Sequence, residues 1–468
     1  MTINHLPDEV LLEIFDYYRQ SFDPYYHLWN ENYAWLNLTH VCRKWRGVMV
    51  ASSSRLDLGV IVGPQKSDHI KTLLSGPLPI LFEYMNMDGQ MMTGSALWRM
   101  RATLEHHHDR VREIDFGGSS ANFDKFFKAT SKRTFPMLES LVLWGTRQKV
   151  PDTFLGGPDL SDLRLRRLNL SGFSLESTSQ LLSFATSLTD LSLNIDTAVN
   201  PSPEVFLLAF LQGMRHLRSL NLGVLPCEFS LQSRLSTSGD IVLVSKLTHF
   251  RYSGHSVFFN AFLARLSTPS LQDINIRLID RTSPPPIVHL PQVLNVIEEH
   301  YHVAEVTILG QEFRLLLLTE SEYIRHCKPR FELTLPIKCF PLPIMQVSGA
   351  LSTRLTTVKE LRFVLMDEFH WTGNVSWRDF YHLLPSVKVL RMECPSVYCI
   401  MRMLDSNDHG EPGDLVFLPD LEEIELGNKY ELRLKSQLAV FEPFVSALAR
   451  QRAGRPVKVM FSPRLEQS

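Results

Sequence analysis

The sequence predicts an α/β protein in which a small N-terminal helical module is followed by a long, irregular α/β solenoid. Two observations lead to this prediction. A short pattern of apolar residues recurs along most of the chain at a nearly regular interval, which is typical of repeat proteins. Before the first repeat, two segments place apolar residues at the spacing of one helix face. We therefore expect two domains, residues 1–54 and residues 55–468.

The composition favours a folded protein without strongly charged partners. Of the 468 residues, 44% are hydrophobic and 21% charged, as in ordinary globular proteins. The formal net charge of −2 gives no support for binding to nucleic acid or to an anionic membrane. One basic cluster alternates with leucines and is interpreted as a solvated strand face; it consists of Arg164, Arg166 and Arg167.

The cysteines and the N-terminus indicate a soluble, intracellular protein in the cytoplasm, the nucleus or both. The six cysteines form no CxxC pair and no disulfide framework, which favours a reducing compartment. Asp8 and Glu9 come too early for a secretory signal. No stretch approaches the roughly eighteen apolar residues that a membrane helix requires.

The repeated pattern is an apolar residue, two variable residues, a second apolar residue, a variable residue and a third apolar residue. It begins at Val111, Leu138, Leu165, Leu188, Leu217, Leu247, Leu271, Val303, Val358, Val387 and Leu421. One interval is about twice the others, and Phe331, Leu333 and Leu335 near its centre are a candidate missing member. The last two apolar positions alternate with a variable one, as a half-buried strand requires.

Helical stretches are expected between the patterns, at 179–186, 204–213, 258–266 and 377–384. Before the first pattern we expect strands at 56–58 and 80–84 and helices at 70–74 and 96–106. Such units resemble leucine-rich repeats, which stack because no unit can bury its apolar face alone. The asparagine or cysteine that usually follows the third apolar residue is absent from most units, so the resemblance implies an irregular solenoid.

The two N-terminal segments follow helix chemistry. Pro7 suits a first helical position, and Asp8 and Glu9 place negative charge in the first turn. The first predicted apolar face consists of Val10, Leu11, Ile14, Phe15 and Tyr18. The second consists of Leu38, Val41, Cys42, Trp45, Val48 and Met49.

Leu-Pro-Asp-Glu with a following Ile-Phe pair, and then Val-Cys-Arg-Lys-Trp, resembles the F-box, although the connector at 16–35 is longer and richer in Tyr and Trp than usual. The resemblance implies a module that docks on a Skp-family adaptor and, through it, on a cullin-based ubiquitin ligase. The residues that it assigns to the adaptor interface are Leu6, Pro7, Leu11, Ile14, Val41, Cys42 and Trp45. Trp45 is the expected energetic anchor, since buried interface aromatics commonly contribute ~2 kcal/mol or more.

No catalytic constellation is found in the sequence, so we expect no enzymatic activity, no cofactor and no metal. Gly117 to Ser120 lacks the lysine of a phosphate-binding loop and is interpreted as a strand-to-helix turn. His106, His107 and His108 are consecutive and would not converge on one metal ion. Nothing near any cysteine favours a thioester with ubiquitin.

The function predicted is that of a substrate receptor, with the solenoid binding an unknown target protein. Trp144, Trp371 and Trp377 are candidate contacts, although each is more commonly a packing residue. Three alternatives remain: an adaptor-bound protein that recruits a partner without degradation, a repeat scaffold whose N-terminal helices only cap the solenoid, and a hydrolase or transferase on an unrecognised fold.

Overall fold

The computed structural model divides the chain into two compact units, Met1–Asn194 and Ile195–Ser468. The residues that it describes are 6–20, 38, 41–52, 56, 60–62, 78–85, 94–131, 133–156, 163–196, 203–225, 240–279, 289, 301, 303–309, 312–319, 322, 331–336, 355–365, 382–393, 418–427 and 457–462.

The first unit contains two N-terminal helices followed by alternating strands and helices. Its elements in chain order are α1 (Asp8–Gln20), α2 (Arg43–Ala51), β1 (Val60–Val62), β2 (Ile80–Met85), α3 (Gly94–His106), β3 (Val111–Gly117), α4 (Ser120–Thr130), β4 (Ser140–Gln148), β5 (Arg167–Phe173) and α5 (Leu175–Phe184). Short 3₁₀ turns lie at His108–Arg110 and Phe154–Gly156. Strand β6 (Asp190–Asp196) lies where the chain divides into units.

Strands β1 to β5 pair in parallel and in chain order. Their register aligns the apolar pattern, since Ile114 pairs with Leu141 and Leu141 pairs with Leu168. These three side chains are buried. The residue that follows each of them along its strand is half-buried. The strands are therefore covered on one face, as the alternation predicts.

The helices cover that buried face through aromatic packing. The ring of Phe116 on β3 lies 4.3 Å from Phe126 and 4.9 Å from Phe123, both on α4. Strand β3 ends at Gly117 and α4 begins at Ser120, which confirms the predicted strand-to-helix turn. Helix α5 is capped by Ser174, whose hydroxyl oxygen accepts from the Ser177 N–H at 3.2 Å.

The second unit repeats the same plan with an interruption. Its elements are α6 (Pro203–Gly213), β7 (Ser219–Leu225), β8 (Val242–Leu243), β9 (His249–Gly254), α7 (Ser256–Leu263), β10 (Leu266–Ser267), β11 (Asp273–Leu278), β12 (Val303–Leu309), β13 (Glu312–Leu318), β14 (Phe331–Pro336), β15 (Glu360–Leu365), β16 (Val389–Glu393), β17 (Glu423–Gly427) and β18 (Lys458–Ser462). Strands β8 and β10 form a separate parallel pair.

The interruption is a reversed strand. Strand β14 pairs with β11 in parallel, β13 is antiparallel to both β14 and β12, and β12 pairs with β15 in parallel. Phe331 pairs with Ile274, so the candidate missing member of the pattern is a strand of this sheet. The predicted pattern at Val303 is shifted along the sheet relative to its neighbour. Its second residue, Val306, pairs with Phe363, which is the third residue of the pattern that begins at Val358.

A recurring turn fixes the start of many strands. The N–H of the first pattern residue donates to the carbonyl three residues earlier, and that earlier residue is buried; the residues are Phe135, Ala185, Met214, Val244, Thr268, Leu355, Leu384 and Leu418. Immediately afterwards, two successive N–H groups donate to one carbonyl of the preceding strand segment. In the first unit Arg166 and Arg167 share the Glu139 carbonyl, at 2.8 and 2.9 Å.

The predicted elements before the first pattern are partly confirmed. Helix α3 and strand β2 lie where expected; the first described strand is Val60–Val62, and of the strand expected at 56–58 the structure describes Leu56 alone. Leu56 instead packs with the N-terminal helices, because its buried position is a turn that follows α2. The helices expected at 70–74 and 377–384 lie outside the described residues, apart from 382–384. The others begin earlier: α5 at Leu175, α6 at Pro203 and α7 at Ser256.

Truncating the buried turn residue should destabilise the first unit. We expect Phe135→Ala to lower the free energy of unfolding by about 3–5 kcal/mol, because it removes a buried ring and leaves a cavity. Urea unfolding followed by circular dichroism measures this. Met137→Ala, two residues away on the exposed side of the same turn, should cost about 0.5 kcal/mol or less. Equal losses in the two variants would show that the turn residue is not part of the core.

Candidate functional site

The two N-terminal helices form a small core of their own. Its buried members are Leu11, Leu12, Phe15, Leu38, Trp45, Val48, Met49 and Leu56. At its centre, the rings of Phe15 and Trp45 meet edge to face with their centroids 5.0 Å apart. Leu6, Tyr18 and Cys42 pack against this cluster and are half-buried. The helices thus satisfy most of their apolar surface within the module.

Polar contacts fix the two helix starts against each other. The Lys44 ammonium donates to the Leu6 carbonyl at 2.7 Å and lies 3.4 Å from an Asp8 carboxylate oxygen. At the start of α2, the Cys42 sulfur accepts from the Trp45 N–H at 3.5 Å and caps the helix. Cys42 is therefore a half-buried capping residue as well as the packing residue that the sequence predicted.

Two details of the predicted helices are corrected. Helix α1 begins at Asp8, and the Pro7 carbonyl accepts from the Leu11 N–H at 3.1 Å, so Pro7 precedes the first helical residue. Val41 does not share the buried face of α2, because the helix begins two residues later and helical spacing does not apply to it. The connector from 21 to 37 lies outside the described residues.

An apolar stripe remains on the outer side of α1. Ile14 is 38% exposed and Tyr17 is 78% exposed, and Val10 is exposed as well. The spacing i, i+4, i+7 places these three residues on one side of the helix. Val41, which precedes α2, is 51% exposed. We name Val10, Ile14, Tyr17 and Val41 the outer apolar residues.

The structure places the seven predicted adaptor residues in two environments. Leu11 and Trp45 are buried in the module, and Trp45 is 6% exposed. Leu6 and Cys42 are half-buried, and the remaining three, Pro7, Ile14 and Val41, are exposed. The adaptor role of each stays a prediction.

The wide apolar stripe of α1 explains this division. Leu12 lies outside the predicted apolar face but is buried. Val10 and Ile14 belong to the predicted apolar face but are exposed. Tyr17 was also not singled out. The spacing of 10, 14 and 17 was the signal in the sequence that could have identified an outer stripe.

The second candidate surface is the half-buried strand face of the first unit, which carries a run of acidic residues. Glu83 on β2 pairs in register with Asp115 on β3, and both are half-buried. Burial, and then the negative charges of Glu83 and Glu113, raise the pKa of Asp115 to about 7. Burial also raises the pKa of Glu83. Trp144 is half-buried on β4.

The corresponding strand residues of the second unit neutralise one another. One carboxylate oxygen of Glu360 lies 2.7 Å from Arg362 Nε and 3.2 Å from a terminal nitrogen of Arg391. Arg391 in turn lies 2.8 Å from Glu425. These acidic and basic side chains form a network of ion pairs across neighbouring strands.

The histidine cluster has a structural role. His106 ends α3, and a ring nitrogen of His108 lies 2.8 Å from the Thr134 carbonyl oxygen. In the described part of the chain, no group of three or more His, Cys, Asp or Glu side chains could hold a metal ion. The helices described there are all too short or too polar to cross a membrane.

Replacing Asp115 should stabilise the protein at high pH. The pKa of this carboxyl is higher in the folded chain, about 7, than its ordinary value near 3.8, so the folded state holds the proton more tightly. The associated stability is present at low pH and is lost as the pH rises through 7. We expect Asp115→Asn to raise the free energy of unfolding by about 1–3 kcal/mol at about pH 8, and to change it little at about pH 4.

Urea unfolding at a series of pH values measures this effect. Asp124→Asn, an exposed site on α4, is the control and should keep the wild-type pH dependence. A loss of stability with Asp115→Asn at high pH would contradict a buried, destabilising carboxylate.

Comparison with known proteins agrees with the N-terminal helices. The F-box-like family model matches residues 3–53. No curated protein sequence matches the chain. The chain is similar to a yeast structure, the Rad7 and Elc1 complex, at 12% identity with 91% of this chain and 90% of that chain covered and a TM-score of 0.32. It is also similar to the leucine-rich repeat-containing protein LegL7 from Legionella pneumophila, at 13% identity with 74% and 91% covered and a TM-score of 0.26.

Those two likenesses are too weak for us to draw on. The family match and the geometry of α1 and α2 agree with the predicted module, and the parallel strands with covering helices agree with the predicted α/β repeats. The chain therefore carries an F-box-like domain at residues 3–53, followed by leucine-rich-repeat-like α/β units.

Proposed function

We propose that this protein is the substrate-recognition subunit of a Skp–cullin–F-box ubiquitin ligase. In this proposal the F-box-like domain docks on a Skp-family adaptor, which links it to a cullin, and the repeat region binds a target protein. The observation that carries the proposal is the F-box-like match over residues 3–53, joined to an exposed apolar stripe on α1 of that domain.

The outer apolar residues have the chemistry of a docking surface. A helix that only caps a repeat array would be expected to turn its apolar residues inward. Here the inward side of α1 is filled by Leu11, Leu12 and Phe15, and Ile14 and Tyr17 still face outward. Burying the exposed part of these side chains contributes roughly 25 cal/mol for each Å² of apolar surface.

The interior of the module supports the surface rather than forming it. Phe15 and Trp45 lock the two helices together, and the Lys44 contact with the Leu6 carbonyl fixes their starts. Ile14 and Val41 are thereby held in fixed positions. We infer that Trp45 stabilises the module and that Ile14 contacts the adaptor.

The proposed contribution to the ligase is placement, without an active site in this chain. A receptor that holds a target lysine near a charged conjugating enzyme raises its effective concentration. Recruitment of a partner without its degradation uses the same two surfaces and is the second candidate. A pure scaffold has less support, because it does not account for the outer stripe of α1.

A charge on the outer stripe should abolish adaptor binding without unfolding the protein. We expect Ile14→Arg to weaken binding to a purified Skp-family adaptor by more than about ten-fold, because docking would bury an unpaired guanidinium. Arginine keeps the helix propensity of α1, so the melting temperature should change little. Isothermal titration calorimetry and thermal unfolding measure the two effects.

The matched control is Leu243→Arg, which adds the same charge at a different exposed apolar residue, 60% exposed, on β8. This variant should bind the adaptor as the wild type does. Unchanged adaptor affinity in Ile14→Arg would remove the docking surface from the proposal, and absence of binding by the wild type would remove the adaptor.

Truncating Trp45 should act on stability first. We expect Trp45→Ala to lower the free energy of unfolding of the module by about 3–5 kcal/mol, since it removes the ring that packs on Phe15. Hydrogen exchange of amides in α1 and α2 reports this directly. Trp45→Phe keeps an aromatic core and should retain most of the protection and the adaptor binding. Normal amide protection in Trp45→Ala would contradict an interior role.

A further inference from the structure

The first unit has an open groove at the edge where its strands begin. Its cavity volume is about 650 Å³, and it is lined by Pro136, Leu163, Arg164, Arg166, Phe184, Thr186 and Ser187. These residues precede β4, β5 and β6 or end α5. A volume of this size is in the usual range for ligand sites, roughly 300–1,000 Å³. The groove lies away from α1 and α2 in the sequence and is not used by the adaptor surface.

The backbone at Arg166 is held from both sides. The Arg166 N–H donates to the Glu139 carbonyl at 2.8 Å, and its carbonyl accepts from the Thr189 and Asp190 N–H groups at 2.8 and 3.0 Å. The Ser187 hydroxyl donates to the Leu165 carbonyl at 3.0 Å. Both arginines precede β5, which begins at Arg167, so they lie before the strand rather than on its face.

The side chains of these arginines are exposed. Among the described residues, neither guanidinium makes a hydrogen bond or an ion pair. Arginines on the neighbouring strand start differ, since Arg112 lies 3.0 Å from a Glu139 carboxylate oxygen and Arg110 donates to the Leu78 carbonyl. None of the lining residues that the structure describes carries a carboxylate. Arg164 and Arg166 therefore present positive charge at the groove, and the backbone of Arg166 is fixed.

The remaining walls are apolar or carry hydroxyl groups. Phe184 and Leu163 are half-buried, and Pro136 completes the apolar lining. Guanidinium groups form strong, directional bonds with carboxylates, and apolar walls accept an aliphatic side chain beside them. The combination matches a peptide in which an acidic residue stands next to an apolar one.

We propose that this groove binds an acidic segment of the recruited protein, with a carboxylate on Arg164 and Arg166 and a neighbouring apolar side chain against Phe184 and Leu163. The proposal rests on the proposed function as a receptor, and it names the class of segment recognised. Guanidinium groups also pair with phosphate, so the test includes a phosphoserine peptide beside the carboxylate peptide. The overall charge of −2 disfavours a nucleic acid.

The test uses the full chain and short fluorescein-labelled peptides in fluorescence anisotropy. One peptide alternates glutamate with leucine, a second carries lysine in place of glutamate, and a third carries phosphoserine. We expect the full chain to bind the glutamate peptide and not the lysine peptide. The double variant Arg164→Glu/Arg166→Glu should weaken this binding by more than about ten-fold, because two attractive contacts become repulsive.

Arg167→Glu is the matched control, since it makes the same charge change at an exposed arginine that does not line the groove. It should keep the affinity within about two-fold at physiological ionic strength. The milder variant Arg164→Ala/Arg166→Ala, together with thermal unfolding, separates lost binding from lost folding. Equal affinity of wild type and double variant, no binding of the glutamate peptide, or binding of the phosphoserine peptide alone would each overturn the proposal.

Adaptor binding measured on the same samples keeps the two proposals apart. The groove variants should bind the adaptor normally, whereas Ile14→Arg should bind the glutamate peptide normally. Loss of peptide binding in the groove double variant with adaptor binding intact supports the groove. Absence of adaptor binding by the wild type would contradict the proposed function and leave the peptide result as a separate finding.

Discussion

The repeat units depend on one backbone interaction, in which a single carbonyl accepts from two successive N–H groups at the start of the next strand. Both N–H groups and the carbonyl that accepts from them are backbone atoms, so this interaction holds the register of the apolar pattern at the strand start. A slip of one residue would turn every apolar side chain to the open face. The carbonyls that do this belong to Glu139, Arg166, Arg218, Thr248, Lys359 and Lys388.

This interaction explains which parts of the fold the sequence could predict. The period of the apolar pattern predicts the strands, because the last two apolar residues of a pattern alternate as in a half-buried strand. The shared carbonyl uses backbone atoms alone and therefore leaves no trace in residue type. The buried turn residue three positions before each pattern does leave a trace, as at Phe135 and Leu384, and a longer pattern would have included it. Strand β13 was not predicted, because Leu315, Leu316 and Leu317 are all buried and show no alternation.

The candidate site was predictable in location and less so in orientation. The sequence identifies both helices, yet an apolar stripe as wide as that of α1 does not say which half faces α2. Contact with Trp45 decides this by drawing Phe15 and Leu11 inward and leaving Ile14 outside. The groove beside Arg164 could not be foreseen, since Phe184 and Arg166 are brought together only by the return of the chain through α5. The domain boundary expected at 54 stays a prediction.

The reversed strand β13 has a consequence for how the second unit acquires its structure. In a regular stack each unit can dock on the one made before it, so order spreads by short steps along the chain. Here the partner of β11 is β14, which comes much later in the chain. The Asn275 amide donates to the carboxylate of Glu332, 57 residues further along the sequence. Strands β12, β13 and β14 have to pair with one another before β11 and β15 have all their strand partners. Closing so long a loop is slow compared with local docking, so we expect this block to form more slowly than the regular units.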